Sequence, residues 1–466
     1  SMNMINVRRL TVMTFLGASM LSGISAQVSP LQVDTLKKTK IPDQWDLQSC
    51  INYAKEQNIT IRKNRITAAS TQIDVKTAKA ALFPSLSFST GHQVVNRPYQ
   101  ETSSRVSGSE IISSNSKTSY NGNYGLNASW TLYNGNKRLK TIQQEKLNNQ
   151  MAELDVATSE NNIQESIAQV YIQILYAAES VKVNENTLQV SIAQRDRGQE
   201  LLNAGSIAKS DLAQLEAQVS TDRYQLVTAQ ATLEDYKLQL KQLLELDGEN
   251  EMNIYLPALS DENVLAPLPT KRDVYISALS LRPEIEASKL NVEASELGIN
   301  IAKSSYFPTI SLSAGIGTNH TSGSDFTFGE QVKNGWNNSI GLSVSVPIFN
   351  NRQTKSAVQK AKLQYETSML SLLDEQKALY KTIESLWLDA NSAQQRYAAA
   401  NEKLKSTQIS YELISEQFNL GMKNTVELLT EKNNLLQAQQ EQLQAKYMAI
   451  LNTQLLKFYQ GDQLAL

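Results

Sequence analysis

The fold is decided by the stretch Phe83-Pro84-Ser85-Leu86-Ser87-Phe88-Ser89-Thr90-Gly91, in which apolar and small polar residues alternate. A long segment with a helical pattern precedes it. Proline disfavours helical backbone in the residue before it and cannot continue a helix itself. The side-chain period therefore changes from about 3.6 residues to 2 at Phe83 and Pro84, which predicts a helix that switches to a strand.

The same switch occurs 224 residues later, in the stretch Phe307-Pro308-Thr309-Ile310-Ser311-Leu312-Ser313-Ala314-Gly315. Each half has a second alternating segment, at 122–133 and at 338–349, and these repeat at an offset of 216. The first inter-strand loop, 96–119, is therefore eight residues longer than the second, and its Ser-rich composition predicts mobility. A length change at one point is typical of the free end of a hairpin. The chain is an internal duplication.

Long helices account for most of the remaining sequence. No proline occurs between Lys137 and Leu202, and Ile163, Ile167 and Val170 begin an apolar stripe with helical spacing. About 65 helical residues would extend roughly 100 Å, which no compact domain requires. The predicted organisation is a signal peptide at 1–26, a polar leader at 27–44, a first repeat at 45–247, a connector at 248–270, a second repeat at 271–461 and a tail at 462–466. The first repeat is predicted to contain strands at about 85–95 and 122–133, a long helix to 202 and a helix at 206–246. The second repeat is predicted to contain strands at about 309–317 and 338–349, a long helix to 419 and a helix at 425–460.

The first residues resemble an export signal. Arg8 and Arg9 precede an apolar run, and Ser25-Ala26 offers small residues for cleavage. After Ala26 no apolar stretch approaches the roughly 18–20 residues of a spanning helix. The net charge of −2 gives no general attraction to nucleic acid.

Catalysis and metal binding are not predicted. His92 and His320 are the two histidines and have no partners at metal-ligand spacing, and Cys50 is the single cysteine. Phosphate loops and nucleophile motifs are absent from the sequence. We therefore expect no catalytic residue, no cofactor and no metal, and Cys50 is expected to be a buried small apolar residue.

The four predicted strands have the length of membrane strands and one apolar face. Four strands cannot close a barrel, and open edges are not tolerated in lipid, so several chains must contribute. The small polar face is then expected to line a wet lumen. The residues predicted to face lipid are Leu86, Phe88, Leu126, Trp130, Ile310, Leu312, Leu342 and Val344. The predicted fold is a mixed α and β membrane protein in which a long α-helical barrel continues a β-barrel built from four strands per chain.

Several motifs, taken in order and with their duplication, resemble the TolC family of outer-membrane efflux proteins over nearly all of 45–461. Those motifs are the two Phe-Pro strand entries, Arg282-Pro283-Glu284-Ile285, Leu243-Leu244-Glu245-Leu246, Phe418-Asn419-Leu420-Gly421 and Thr425-Val426-Glu427-Leu428-Leu429. The resemblance implies a homotrimer with 12 strands in a Gram-negative outer membrane and a long periplasmic extension. It also implies a periplasmic adaptor and an inner-membrane transporter of the RND or ABC type.

The resemblance further implies a closed aperture at the periplasmic tip, next to the turns at Gly205 and Gly421. Lys423 takes the position of a family arginine, and Asp211 takes that of its acidic partner. A lysine cannot make the bidentate pair that an arginine makes. The remaining aperture residues implied by the family motif are Glu427 and Thr430 at the constriction and Phe418 at the position of an aromatic latch.

The expected function is a passive exit duct for small toxic compounds. Two alternatives stay open at this point. One is a duct of the same kind that exports proteins with an ABC-type translocator. The other is an exported coiled-coil scaffold without a pore.

Overall fold

A computed structural model describes residues 39–101, 103–107, 109–114 and 117–466 of the chain. The signal peptide predicted at 1–26 and most of the leader predicted at 27–44 lie outside those ranges. Contacts divide the chain after Asp43, and the second unit, Gln44–Leu466, contains every element named below.

The second unit consists of long helices and one four-stranded sheet. In chain order its helices and strands are α1 (Leu47–Gln57), α2 (Ile59–Ala80), β1 (Ser85–Asn96), β2 (Ser103–Ser107), β3 (Glu110–Ser114), β4 (Thr118–Tyr133), α3 (Lys137–Asn203), α4 (Lys209–Leu243), α5 (Asp261–Val264), α6 (Lys271–Leu281), α7 (Pro283–Lys303), a 3₁₀ turn (Ser304–Tyr306), β5 (Thr309–Thr321), α8 (Phe328–Asn334), β6 (Asn337–Ser345), α9 (Gln353–Asn419) and α10 (Thr425–Gln460).

The two longest helices, α3 and α9, each contain 67 residues. Each begins directly after a residue in the left-handed region, Asn136 with φ of 64° and Arg352 with φ of 67°. Such a residue reverses the chain sharply between a strand and a helix. The two halves of the duplication therefore make the same strand-to-helix turn.

Each long helix forms a hairpin with the helix that follows it. The first hairpin is α3 with α4, and the second hairpin is α9 with α10. Gly205 (φ 76°) and Gly421 (φ 77°) occupy the left-handed position after the long helix, where glycine carries no steric cost. The Ser206 N–H donates to the Leu201 carbonyl at 2.8 Å, which closes the end of α3. We call these two turns and the adjoining helix ends the tips.

The main hydrophobic core lies where the two hairpins meet, far from the tips. Ile167 and Tyr171 of α3 pack there with Tyr397 of α9 and Ile450 of α10, and Cys50 of α1 is buried among them. Trp45 is part of this core and links it to the connector, because the backbone N–H of Trp45 donates to the Asn253 carbonyl at 2.8 Å.

The sheet has the strand order β1-β4-β5-β6, with every neighbouring pair antiparallel. The strand predicted at 338–349 is too long at its end, because β6 stops at Ser345. Pro347 follows it, and proline has no N–H to donate to a sheet. β4 starts earlier than predicted, at Thr118, and β5 extends further, to Thr321.

Two further segments differ from the sequence predictions. The helix predicted at 206–246 spans Lys209–Leu243, because the tip turn continues to Ala208 and Glu245 takes a left-handed φ of 55°. The loop at 96–119, expected to be mobile, carries the β2–β3 hairpin. The second inter-strand loop carries the short helix α8.

Candidate functional site

The register of the sheet brings the predicted lipid-facing residues to one face. Phe88 pairs with Leu126, Trp130 with Leu312, and Leu312 in turn with Leu342. Directly opposed residues of antiparallel strands point to the same face. Strand alternation adds the remaining members, so the eight predicted residues share one face: Leu86, Phe88, Leu126, Trp130, Ile310, Leu312, Leu342 and Val344. We call it the apolar face.

The opposite face consists of small side chains. One cross-strand row runs through Ser85, Ser129, Ser313 and Gly341. The Ser85 and Ser129 hydroxyls lie 2.8 Å apart. A face of serines, glycines and asparagines leaves space and offers hydrogen bonds to water. We call it the small face.

The Phe-Pro switches lie where the helices meet the sheet. Phe83 and Phe307 are exposed, and Pro84 and Pro308 start the chain into β1 and β5. The Trp130 indole N–H donates to the Leu82 carbonyl at 2.8 Å, which ties β4 to the end of α2. Because the strands are antiparallel, α2, α3, α7 and α9 all leave the same end of the sheet.

At the tips, each of the two charges assigned to a latch has a partner within its own tip, where the turn joins the following helix. The Asp211 carboxylate accepts the Ala208 N–H at 3.1 Å at the start of α4. The Lys423 ammonium lies 3.5 Å from the Glu427 carboxylate, one helical turn away. Within one chain, therefore, Lys423 and Asp211 are not brought together.

Glu427 closes a capping box at the start of α10. Its carboxylate accepts the Asn424 N–H at 3.1 Å, and its own N–H donates to the Asn424 side chain at 2.8 Å. The hydrogen bond from Asn424 and the nearby charge of Lys423 hold the pKa of Glu427 below its ordinary value. The carboxylate is exposed and ionised at neutral pH.

Thr430 and Phe418, the other two residues implied for the aperture, make contacts within the chain. The Thr430 hydroxyl donates to the Val426 carbonyl at 2.7 Å, a bond inside α10. Phe418 is 3% exposed and lies in the helix end. An aromatic ring buried to that extent packs against its own hairpins rather than closing a gap at the surface.

A buried polar cluster near the tips was not predicted from the sequence. Lys432 of α10 pairs with Asp222 of α4, and both contact the Ser191 hydroxyl of α3. The available signal was spacing. Lys432 follows Leu428 by four residues and Asp222 follows Leu215 by seven, so both charges occupy positions of an apolar stripe.

A second missed residue is Arg282, which stands between α6 and α7. Its guanidinium lies 3.2 Å from Glu165, 2.9 Å from Glu284 and 4.0 Å from the centre of the Tyr459 ring. The motif around it supported the resemblance, but nothing in its pattern indicated that the arginine itself is buried.

No helix among the described residues is both long and apolar enough to cross a membrane. No group of three or more His, Cys, Asp or Glu side chains in the same residues has the arrangement of a metal site.

Comparison with known proteins identifies the family. The family described as "Outer membrane efflux protein" matches residues 50–245 and 274–461, one segment in each half of the duplication. The outer membrane efflux protein BepC of Brucella suis biovar 1 (strain 1330) is 24% identical over 294 residues, which cover 63% of this chain and 61% of BepC. The outer membrane protein TolC of Escherichia coli (strain K12) is 24% identical over 61% of this chain and 58% of TolC. The chain spans about three fifths of the length of these curated relatives.

Solved structures show the same fold. CusC matches with a TM-score of 0.76 at 18% identity, over 91% of this chain and 96% of the CusC chain. VceC from Vibrio cholerae matches with a TM-score of 0.72 at 16% identity, over 90% of this chain and 97% of the VceC chain. Both combine a long helical barrel with a β domain. The chain therefore belongs to the outer membrane efflux protein family, a family of the Gram-negative outer membrane with a long periplasmic helical extension.

Proposed function

We propose that this chain is a passive exit duct that exports small molecules, closed at its periplasmic tip and driven by an inner-membrane pump. The observation that carries the proposal is the four-stranded sheet. Its apolar residues share one face, its small residues share the other, and the long helices leave from one end. A sheet of this kind suits a wall between lipid and water, and the helices suit its continuation into the periplasm. The duct carries out no chemical step of its own.

A ring of several copies is proposed because the sheet has two open edges, β1 and β6. Open edges are not tolerated in lipid, so β6 of one copy pairs with β1 of the next. The helices beside those edges expose apolar stripes. Ile59, Ile66 and Ile73 of α2 recur every seven residues, and Leu363 and Leu370 of α9 have the same spacing. Three copies, the number implied by the family resemblance, would give a 12-stranded barrel.

The duplication predicts the register in which β6 of one copy pairs with β1 of the next, a pairing that we call the seam. Within one chain, Ser129 of β4 pairs with Ser313 of β5. In the duplication, Ser345 of β6 is the equivalent of Ser129, at the offset of 216, and Ser89 of β1 is the equivalent of Ser313, at the offset of 224. We therefore expect Ser345 of one copy to lie opposite Ser89 of the next.

The tips are the proposed aperture and docking end. Asp211 and Glu427 are the acids in the first turns of α4 and α10, and Leu420, Met422 and Val426 are exposed apolar residues at the second tip. An exposed apolar group of this kind favours contact with another protein. A periplasmic adaptor would bind there and connect the duct to an RND-type or ABC-type transporter.

Relatives include both drug and protein exporters. One is named toxin and drug export protein A, from Aggregatibacter actinomycetemcomitans, and another alkaline protease secretion protein AprF, from Pseudomonas aeruginosa. We favour small molecules because a largely uncharged small face offers no recognition of a particular polypeptide.

Purification in detergent followed by planar-bilayer recording tests the duct. The expected result is an oligomer of three chains that extracts only with detergent and conducts ions. A monomer that is soluble without detergent and silent in bilayers would contradict the proposal and favour the scaffold.

A further inference from the structure

The two histidines of the chain meet on one row of the sheet. His92 of β1 pairs with Gly122 of β4, and Gly122 pairs in turn with His320 of β5. Directly opposed residues of antiparallel strands point to the same face, so both imidazoles stand on the apolar face with the glycine between them. Their ring centres are 6.2 Å apart. The chain has no other histidine, so its whole imidazole content lies at this one place.

Gly122 allows the two rings to approach each other. A Cβ added at this glycine would collide with the His320 ring, which therefore fills the space of the missing side chain. Tyr120 and Tyr124, two positions away on either side, point to the same face. Their ring centres lie 5.3 and 5.9 Å from that of His320, and 5.9 and 5.4 Å from that of His92. Four rings thus surround one residue that has no side chain.

The ring nitrogens are suited to binding a metal ion. The Nδ1 atom of His92 lies 2.6 Å from the Tyr120 hydroxyl, and its Nε2 atom lies 3.0 Å from the Thr90 hydroxyl. The Nδ1 atom of His320 is buried and has no hydrogen-bond partner among the described residues, which is a reason to look for a bound water or ion. A histidine that binds a metal through one nitrogen usually donates its other N–H to an oxygen. The two hydroxyls offer His92 that oxygen.

The separation of the two imidazoles fits a single ion. A metal ion binds an imidazole nitrogen at about 2.0–2.1 Å, which places the ring centre about 3.2 Å from the ion. Two imidazoles on one ion then have ring centres between about 4.5 Å, at a right angle, and about 6.4 Å, on opposite sides. The observed 6.2 Å lies in that range. The His92 side chain is exposed, so it can turn towards the ion without a change of the backbone.

The pair is not a by-product of the duplication. At the offset of 224, the equivalent of His92 is Ile316, and the equivalent of His320 is Asn96. Each histidine is therefore specific to its own half, and the sheet register brings them together. Sequence spacing could not show this pair, because its members lie in different halves of the chain.

The cluster lies at the end of the sheet away from the long helices. β1 starts at Ser85, beside the end of α2, and His92 lies towards its far end. Phe328 of α8 packs edge-on against the His320 ring, with ring centres 4.9 Å apart. The exposed His92 leaves the cluster open to ions from solvent. An ion held by both histidines would join β1 to β5 across β4.

We propose that His92 and His320 bind a divalent transition-metal ion of the zinc, nickel or copper type, with the Tyr120 hydroxyl as a neighbouring oxygen donor. Imidazole suits these ions, whereas magnesium and calcium prefer oxygen ligands. The site is separate from the proposed export path, because both rings stand on the apolar face and not on the small face. Metal binding therefore does not depend on conduction.

Titration of the purified oligomer with Cu²⁺, followed by electron paramagnetic resonance, tests the proposal. The protein is prepared without a histidine tag, so every imidazole signal comes from His92 or His320. We expect one Cu²⁺ per chain, coupled to two imidazole nitrogens. His92→Gln and His320→Gln should each leave coupling to one nitrogen and bind the ion at least about tenfold more weakly. Wild-type protein with no imidazole coupling, or with coupling to one nitrogen only, overturns the proposal.

The matched control exchanges two neighbouring residues. His92→Gln combined with Gln93→His keeps the composition and the number of histidines, but strand alternation turns the moved imidazole to the small face. We expect this variant to assemble like wild type and to lose the coupling to two nitrogens. Retained coupling to two nitrogens would show that the ion does not need the row through Gly122, which contradicts the proposal.

Gly122→Ala tests the geometry with both histidines present. The added methyl group must displace the His320 ring, which is a movable side chain, so the sheet itself should be preserved. We expect the affinity for Cu²⁺ to fall by roughly tenfold, the scale on which residues that orient metal ligands act. An unchanged affinity would show that the two rings do not meet over Gly122.

Thermal unfolding with Zn²⁺ gives an independent readout. An ion that binds only the folded state stabilises it, so Zn²⁺ should raise the apparent unfolding temperature of the wild-type oligomer. The double variant His92→Gln with His320→Gln should show no such rise. An equal rise in both proteins places the ion elsewhere and overturns the proposal. Bilayer recording of the same samples judges the duct separately, since a silent channel with this metal response has the site without the duct.

Discussion

The Arg282 guanidinium lies 3.2 Å from the Glu165 carboxylate, although 117 residues separate them in the chain. Arg282 is almost fully buried, and it also contacts Glu284 and the Tyr459 ring. This arginine therefore joins α7 to α3 and α10 at the level of the second, smaller core of the unit, which contains Ile285, Ile383 and Leu456.

Replacing Arg282 by methionine should strongly destabilise the protein. Glu165 and Glu284 would remain half-buried beside each other without a cation, and removing one partner of a buried ion pair costs on the order of 3–5 kcal/mol. The measurement is the apparent unfolding temperature of the purified oligomer. Arg65→Met is the matched control, because its pair with Glu160 also joins two helices but is exposed. An exposed pair contributes about 0–1 kcal/mol, so equal losses for the two variants would contradict the prediction.

Gly135→Ala should prevent correct assembly. Gly135 has φ of 71°, and an added Cβ would lie 2.6 Å from the Ser304 carbonyl oxygen. The left-handed conformation alone costs about 1–2 kcal/mol for an L side chain, and the contact adds a clash with backbone. The readout is the amount of oligomer in the membrane fraction. Gly329→Ala in α8, where a Cβ meets nothing within 4 Å, should assemble like wild type.

Arginine substitutions at adjacent positions of β6 should show which face of the sheet meets lipid and which meets water. Leu342→Arg places a charge on the apolar face, at an expected cost of about 2–4 kcal/mol near the bilayer centre. Ser343→Arg places the same charge on the small face, where water is expected. We predict that Leu342→Arg fails to assemble and that Ser343→Arg assembles with reduced cation conductance. Normal assembly of both variants would mean that neither face meets lipid.

Cysteines at Ser345 and Ser89 should form a disulfide between copies of the chain under oxidation. The seam register places these residues opposite each other, within the Cα separation of about 4.4–6.8 Å that a disulfide requires. Denaturing gels would show dimers and trimers of the chain. The control pairs Ser345→Cys with Gln93→Cys, four residues and about 13 Å further along β1. Crosslinking of the control alone would show that the register derived from the duplication is wrong.

Glu427→Gln should reduce the cation preference of the channel. Three copies of this exposed carboxylate near the aperture favour cations, and glutamine removes the charge while keeping an oxygen for the cap. Reversal potentials in a salt gradient measure the effect. Glu431→Gln is the control, since Glu431 accepts a hydrogen bond from Ser410 inside the second hairpin. An unchanged reversal potential for Glu427→Gln would show that Glu427 does not lie at the aperture.

The same carboxylate gives a pH dependence with a defined sign. Its pKa in the folded protein lies below the unfolded value, because the Asn424 N–H donates to it and Lys423 lies beside it. Its capping contribution is therefore fully present above the unfolded pKa of about 4.3 and is lost as pH falls through the folded pKa. Cation preference should persist down to about pH 4.3 and disappear only below it. Loss of the preference at neutral pH would contradict this assignment.

Much of the fold is readable because local patterns carry it. A proline after Phe83 and again after Phe307 fixes the change of period, and the constant offsets of 216 and 224 align the two halves. The end of β6 is not readable in this way, because apolar alternation continues through Ile348, whereas the strand ends at Ser345, before Pro347 with its missing N–H. Periodicity describes side chains, but hydrogen bonding of the backbone ends a strand.

The candidate site was less predictable, since it depends on contacts between distant segments. Motif position indicated Lys423 and Asp211 as partners, yet each has a nearer group within its own tip, Glu427 for Lys423 and the Ala208 N–H for Asp211. Nothing in the local sequence of Lys432 distinguishes it from the many solvated lysines of these helices except its place on an apolar stripe. Its partners are 210 and 241 residues away, so only the packed hairpins reveal the pair.

The equal length of α3 and α9 acts as a molecular ruler. Both helices start from the same kind of left-handed residue at the sheet and run for 67 residues, so their tips end at one level. Seven residues inserted into α9 alone would displace one tip by about 10 Å relative to the other. The reach of such a protein across the periplasm can therefore change only by paired insertions, one in each half of the duplication.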